Sequence, residues 1–159
     1  PFRHVSHSSS PAHMRNTDTR QQKQWVLVFL AWLIALAATL GALFLGEVMG
    51  RTPCLLCWYQ RIAMFPLVVV LGVGLLPFDP RGARYALPLA VVGGVIALYH
   101  CLLYWGVIPP SLVPCGQGVS CTDAKLGLLG FVSIPLLSLM AFASIIVLLL
   151  IAKRGSQNE

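Results

Sequence analysis

The chain has 159 residues, of which 57% are hydrophobic and only 10% charged, with a mean hydropathy of +0.80. A soluble domain carries about 25% charged residues, so the composition excludes an ordinary soluble fold and implies one polytopic membrane domain. The net charge of +6 does not indicate a nucleic-acid partner, because the basic residues are spread along the chain rather than clustered.

Residues 1–24 are polar, hold His4, His7 and His13 and a serine run, and are expected to form a disordered cytoplasmic tail. Met14 is a candidate start, and these histidines are left out of any site. Beyond them the charged positions leave four charge-free windows. These are Gln24–Gly46 (23 residues), Ile62–Phe78 (17), Tyr85–Thr122 (38) and Leu126–Ala152 (27). A spanning helix needs about 20 apolar residues. The first window holds helix 1, about Trp25–Leu45. The second makes a span when Trp58–Arg61 join it at the interface. The third holds one span, about Tyr85–Ile108, followed by a Pro/Gly/Ser stretch. The fourth holds a span entered near Leu128. The fold class is therefore all-α: a four-transmembrane-helix bundle over residues 25–152, with a short tail at 153–159. Pro66, Pro88 and Pro135 fall within these windows, where membrane helices tolerate proline. Ala31, Ala35, Ala38 and the Gly93–Gly94 pair read as helix-packing positions.

Eight of the eleven Lys and Arg residues precede helix 1, lie between helices 2 and 3, or follow helix 4; Arg51, Arg61 and Lys125 do not. The positive-inside rule then puts both termini and the Asp79–Arg84 turn in the cytoplasm. The loops at about 46–57 and 108–127 fall outside. Four cysteines lie there, where disulfides persist.

These four make two motifs. Cys54 and Cys57 are spaced i, i+3 at the start of helix 2, taken to begin near Pro53, where the helix dipole and free N–H groups stabilise a thiolate. Arg61, one turn after Cys57, shares its face, and a charge at that depth is costly and usually functional. Cys115 and Cys121 bracket a glycine-containing loop, so a disulfide there would be exposed and readily attacked. Two dithiol pairs on one side of a membrane suit thiol–disulfide exchange, which needs one sulfur within reach of the next. A four-cysteine zinc site is disfavoured because the second spacing does not match the paired CxxC of structural zinc, and no metal is expected. His100, late in helix 3, is either a packed, hydrogen-bonded group or part of a polar pocket beside Arg61. Cys101 reads as a buried free thiol.

The block Pro53-Cys54-Leu55-Leu56-Cys57-Trp58-Tyr59-Gln60-Arg61 resembles the DsbB family of disulfide bond formation proteins, and most closely its short-loop BdbC branch. Glu47, Gly50, Met64, Pro66, Tyr99-His100, Pro114-Cys115 with Cys121-Thr122, and Gly130–Pro135 fit in the same order. The resemblance covers about Trp25 to Lys153. It implies a bacterial plasma-membrane protein that binds a quinone, ubiquinone or menaquinone. It would reoxidise a thioredoxin-fold thiol oxidase of the DsbA/BdbD kind outside the cytoplasm. In that scheme the partner's thiolate attacks Cys115–Cys121, Cys54–Cys57 reoxidises that pair, Cys57 faces the quinone, and Arg61 and His100 belong to the quinone site. The loop around Cys115 is shorter than in enterobacterial members. Two other functions compete: an enzyme of the vitamin K epoxide reductase type, whose cysteine motifs run in the opposite order, and a non-catalytic membrane module with structural disulfides.

Overall fold

The computed structural model describes residues 11–76, 80–108 and 133–157. Four helices make it up: α1 (Pro11–Leu43), α2 (Leu55–Leu75), α3 (Pro80–Tyr104) and α4 (Ile134–Gln157). Each is long and apolar enough to cross a membrane, over Asp18–Val48, Leu55–Leu75, Gly82–Tyr104 and Ile134–Gly155. They pack in chain order round a bundle, α1 on α2, α2 on α3, α3 on α4 and α4 on α1.

Two boundaries differ from the sequence expectation. Residues 11–24, expected as part of a disordered tail, are helical. Pro11 stands at the first helical position, where its missing N–H costs nothing. No glycine or proline then interrupts the chain until Gly41, so an apolar helix already formed extends outward without meeting a breaker, each added residue costing no new nucleation. At the other boundary, α2 starts at Leu55 rather than Pro53, with Cys54 as its N-cap in extended geometry. Leu128, the expected entry to the last span, lies outside the described residues; the described part of α4 begins at Ile134, with Pro135 in its first turn.

The helix ends are closed by backbone chemistry. A π-helical turn, Phe44–Val48, extends α1, and Gly50 takes a positive φ of 62° as the chain leaves it. α3 ends in a Schellman motif: Val107 N–H donates to Leu102 C=O and Gly106 N–H to Leu103 C=O. Gly106 sits at φ 73°, the left-handed position that such a stop requires.

Core positions recur at spacings of three and four on each helix. On α3 these are Ala83, Ala86, Ala90, Gly93, Ala97 and His100; on α2 they are Leu56, Gln60, Ala63, Leu67 and Leu71; on α4, Phe142, Ile145, Leu149 and Ala152. Spacings of three and four put these residues on one face of each helix, the face that packs in the bundle. Ala31 and Ala35 are fully buried and Ala38 packs on the same core, as expected of small residues at membrane-helix contacts. The opposite faces are apolar and exposed, Val69, Val73, Val95 and Met140 among them, as lipid-facing surfaces must be.

The closest approach is at Gly93, where a Cβ would overlap the Phe142 ring, itself fully buried. Gly93→Ala is therefore expected to lose about 1–3 kcal/mol through overpacking, read as a lower unfolding midpoint in detergent. An unchanged midpoint would show that α3 and α4 can move apart there without cost.

Candidate functional site

The site forms where the N-terminal end of α2, the C-terminal end of α3 and the N-terminal part of α4 meet. Cys54 caps α2: its sulfur accepts from the Cys57 N–H at 3.4 Å. This places the two sulfurs in direct contact, 2.7 Å apart. Cys54 is buried and Cys57 is half-buried.

Behind Cys54 stands His100, fully buried, with Nε2 at 3.9 Å from the Cys54 sulfur. Its Nδ1 lies 3.1 Å from the amide nitrogen of Gln60, and the Gln60 carbonyl oxygen accepts from the Ser138 hydroxyl at 2.6 Å. Gln60 and His100 hold core positions of α2 and α3, and Ser138 lies four residues before the buried Phe142 on α4. Burial therefore obliges Gln60 and His100 to find partners, and the half-buried Ser138 supplies one. The cap of α2 and this buried network converge on one sulfur. Cys54 is consequently held well below the usual thiol range. The main cause is the hydrogen bond from the Cys57 thiol. Burial opposes it, and His100 and the Cys57 N–H add to it.

A depressed value keeps the sulfur ionised as the pH falls. Reaction of reduced Cys54 with iodoacetamide is thus expected to stay nearly level between about pH 8 and about pH 6, whereas a thiol at about 8.5 loses roughly tenfold per unit there. Site-resolved mass spectrometry after timed alkylation checks this, and a tenfold fall per unit would show an ordinary thiol.

On the other side of the cysteines is a cavity of about 520 Å³ between α1, α2 and α4. Cys54, Cys57, Gln60 and Arg61 line it together with Met64 and Phe65 and apolar groups from α1 and α4. Arg61 is anchored rather than free to swing. One of its Nη atoms donates to the Ala42 carbonyl at 2.6 Å, and its guanidinium lies 5.7 Å from the centroid of Trp58. The space for it exists because residue 46 is glycine: a Cβ there would stand 3.1 Å from the guanidinium. The buried Thr39 hydroxyl, on a residue that lines the cavity, has no hydrogen-bond partner among the described residues. Such orphans are rare, and this one is a polar contact waiting for whatever enters.

Of the sequence candidates, Cys54, Cys57 and Arg61 thus share one cavity, as the i, i+3 and i+4 spacings anticipated. His100 reaches Cys54 but does not line the cavity; it stands behind the sulfur. Cys115 and Cys121 lie outside the described residues. Cys101 is buried without a disulfide. The Cys54, Cys57 and His100 donor atoms lie within 4.8 Å of one another. Two thiolates on one tetrahedral zinc, each about 2.3 Å from the metal, stand about 3.7 Å apart, so the observed contact between the sulfurs suits a dithiol couple better than a metal. Three residues had no assigned role in the sequence: Gln60, Ser138 and Thr39. Gln60 and Ser138 carry a signal, a polar group four residues from a buried position of an otherwise apolar helix.

A CxxC cap at the start of an apolar helix, its sulfurs in contact and beside an anchored arginine, has the arrangement that a redox dithiol needs. Comparison with known proteins identifies its lineage. The family model described as disulfide bond formation protein DsbB matches residues 22–152. The chain belongs to the DsbB family. It is similar to a probable disulfide formation protein of Metapseudomonas resinovorans, 50% identical over 131 residues, covering 82% of this chain and 91% of the relative. It is 43% identical over 139 residues to probable disulfide formation protein C 2 of Bacillus cereus, with 86% and 99% covered. Disulfide bond formation protein C of Bacillus subtilis is 39% identical over 134 residues, with 84% and 96% covered. No solved structure matches the chain. As a DsbB-family member it is a disulfide oxidoreductase and an integral bacterial membrane protein, not an enzyme of the vitamin K epoxide reductase type.

Proposed function

We propose that this protein is a quinone-linked thiol oxidase that reoxidises a thioredoxin-fold partner on the outer side of the membrane. The observation that carries this is the common cavity: the Cys54–Cys57 pair and the anchored Arg61 line one apolar space between three membrane helices.

Electrons enter by exchange. A thiolate of the partner attacks the Cys115–Cys121 disulfide, forming a mixed disulfide and releasing one loop thiolate; the partner's second thiolate resolves it and leaves with its own disulfide. The reduced loop pair then attacks the Cys54–Cys57 disulfide in the same way, and two electrons pass inward. The excess of basic residues at the termini and at Arg81 and Arg84 supports an outer location for both pairs.

A quinone fits the cavity. Its walls are mostly apolar, Arg61 offers a fixed cation for a carbonyl oxygen that gains negative charge, and Thr39 offers a hydroxyl with no partner among the described residues. When bound, a quinone supplies a two-electron, two-proton acceptor. The chain's own residues keep Cys57 against the space, hold the guanidinium still through Ala42 and Trp58, and exclude bulk water with helix faces.

The direct test supplies purified protein in detergent with a reduced thioredoxin-fold dithiol and either a benzoquinone or a naphthoquinone. Quinone reduction dependent on both substrates is expected. A folded protein that turns over neither quinone would overturn the reading and favour a non-catalytic membrane module.

A further inference from the structure

The Ser138–Gln60–His100 network is a polar chain through an apolar core, and its chemistry has one direction. The Ser138 hydroxyl donates to the Gln60 carbonyl oxygen at 2.6 Å, which leaves the amide nitrogen facing His100. An amide NH₂ only donates, so Nδ1 of His100, 3.1 Å away, has to accept. A neutral imidazole that accepts at Nδ1 carries its proton on Nε2, the nitrogen 3.9 Å from the Cys54 sulfur. We infer that Gln60 and Ser138 are positioning residues for the redox reaction. They lock His100 in its Nε2–H tautomer, so that it donates to the Cys54 thiolate released when the Cys54–Cys57 disulfide opens.

The geometry favours this over simple core filling. Each of the three residues comes from a different helix; Gln60 and His100 are buried and need partners, and Ser138, half-buried at the cavity wall, supplies one. A serine alone would have met its need on its own helix, as Ser144 does by donating to the Met140 carbonyl at 2.8 Å. Ser138 instead reaches across to α2. Fixing a tautomer through the second ring nitrogen is the general means by which proteins aim a histidine, and a donor to Nδ1 also strengthens the N–H on the far side of the ring. The histidine therefore acts from behind the sulfur, and the cavity side is left to Cys57 and Arg61. The catalytic meaning of the network rests on the function proposed above; the tautomer does not.

Two measurements on the full chain in detergent test it. The first is a long-range ¹H–¹⁵N spectrum of histidine-labelled protein in a Cys54→Ala background, so that the sulfur exerts no pull on the ring. His100 is expected to show a protonated Nε2 and a bare Nδ1, and Gln60→Leu to release it into a mixture of tautomers. The second is the pH profile of Cys54 alkylation in reduced protein with Cys54 intact. Gln60→Leu and Ser138→Ala are each expected to raise its midpoint by about one unit, a tenfold loss of thiolate on the acid side. Ser138→Thr, which keeps the hydroxyl, restores the native profile. The other ionisable groups near Cys54 are Cys57, Arg51 and Arg61 along the cavity and Tyr99 on α3, and none is altered by these variants. A His100 protonated on Nδ1 in the Gln60-containing chain would overturn the inference. So would folded Gln60→Leu and Ser138→Ala proteins with native tautomer and midpoint. Should Gln60→Leu not fold, Ser138→Ala decides. Neither readout uses quinone or partner, so absence of quinone reduction in a chain with the stated tautomer would count against the functional reading alone.

Discussion

Cys57→Ser is expected to abolish quinone reduction, and Cys115→Ser to abolish it as well. The two losses have different causes, and the trapped species tell them apart. Serine cannot form a disulfide, so Cys57→Ser leaves Cys54 without its bonding partner, and a two-electron couple no longer exists beside the cavity. The Cys54 sulfur keeps its cap and His100 but loses the Cys57 thiol, the main group that holds it as a thiolate. The loop pair, once reduced by the partner, then has no Cys54–Cys57 disulfide to attack and should accumulate as a dithiol. Cys115→Ser instead blocks entry: Cys54–Cys57 stays oxidised while the partner stays reduced. Stopped-assay alkylation followed by mass spectrometry separates the two patterns. Turnover in Cys115→Ser at the native rate would mean that the partner reaches Cys54–Cys57 directly and the loop pair is a structural staple.

Arg61→Met is expected to lower kcat/KM for quinone by roughly ten- to a hundredfold. One charge-assisted hydrogen bond contributes about 1.5–3 kcal/mol, and each 1.4 kcal/mol is tenfold in rate. Methionine preserves much of the side-chain volume against Trp58 and Gly46, so the loss reports the charge rather than a void. If the guanidinium only binds the ligand, KM rises and kcat holds. If it also stabilises charge that develops on the ligand oxygen during electron transfer, kcat falls too. Arg61→Lys restores the charge but cannot both hold the Ala42 carbonyl and present a planar fork, so partial activity is expected. Native kinetics for Arg61→Met would remove Arg61 from the quinone site and leave it as an interfacial anchor.

Much of the site follows from local spacing. Cys54, Cys57 and Arg61 lie within eight residues of one chain segment, and helical geometry alone brings Cys57 and Arg61 to one face. The small-residue positions on α1 and α3 were legible for the same reason, since membrane-helix contacts need them. The start of α2 was misplaced by two residues because Pro53 suits a first helical turn, while the sulfur of Cys54, acting as a cap, was not a signal to look for. The helical stretch from Pro11 is not legible in composition, because its polarity reads as disorder, although no helix breaker separates it from the span.

By itself, the sequence determined the number of membrane helices, the expected sidedness of the loops and the presence of a dithiol at a helix start. These are properties of hydropathy, charge and spacing along a single segment. Only the tertiary structure decided which helix faces meet. It set His100 against a sulfur 46 residues away in the chain and Ser138 against an amide 78 residues away. It opened a cavity between α1, α2 and α4, tied Arg61 to the Ala42 carbonyl, and left the Thr39 hydroxyl without a partner among the described residues. The physical reason is that apolar helix faces are nearly interchangeable in hydropathy. Their pairing is selected by close packing, as of Gly93 on Phe142, and by the need of each buried polar group to find a partner on another helix.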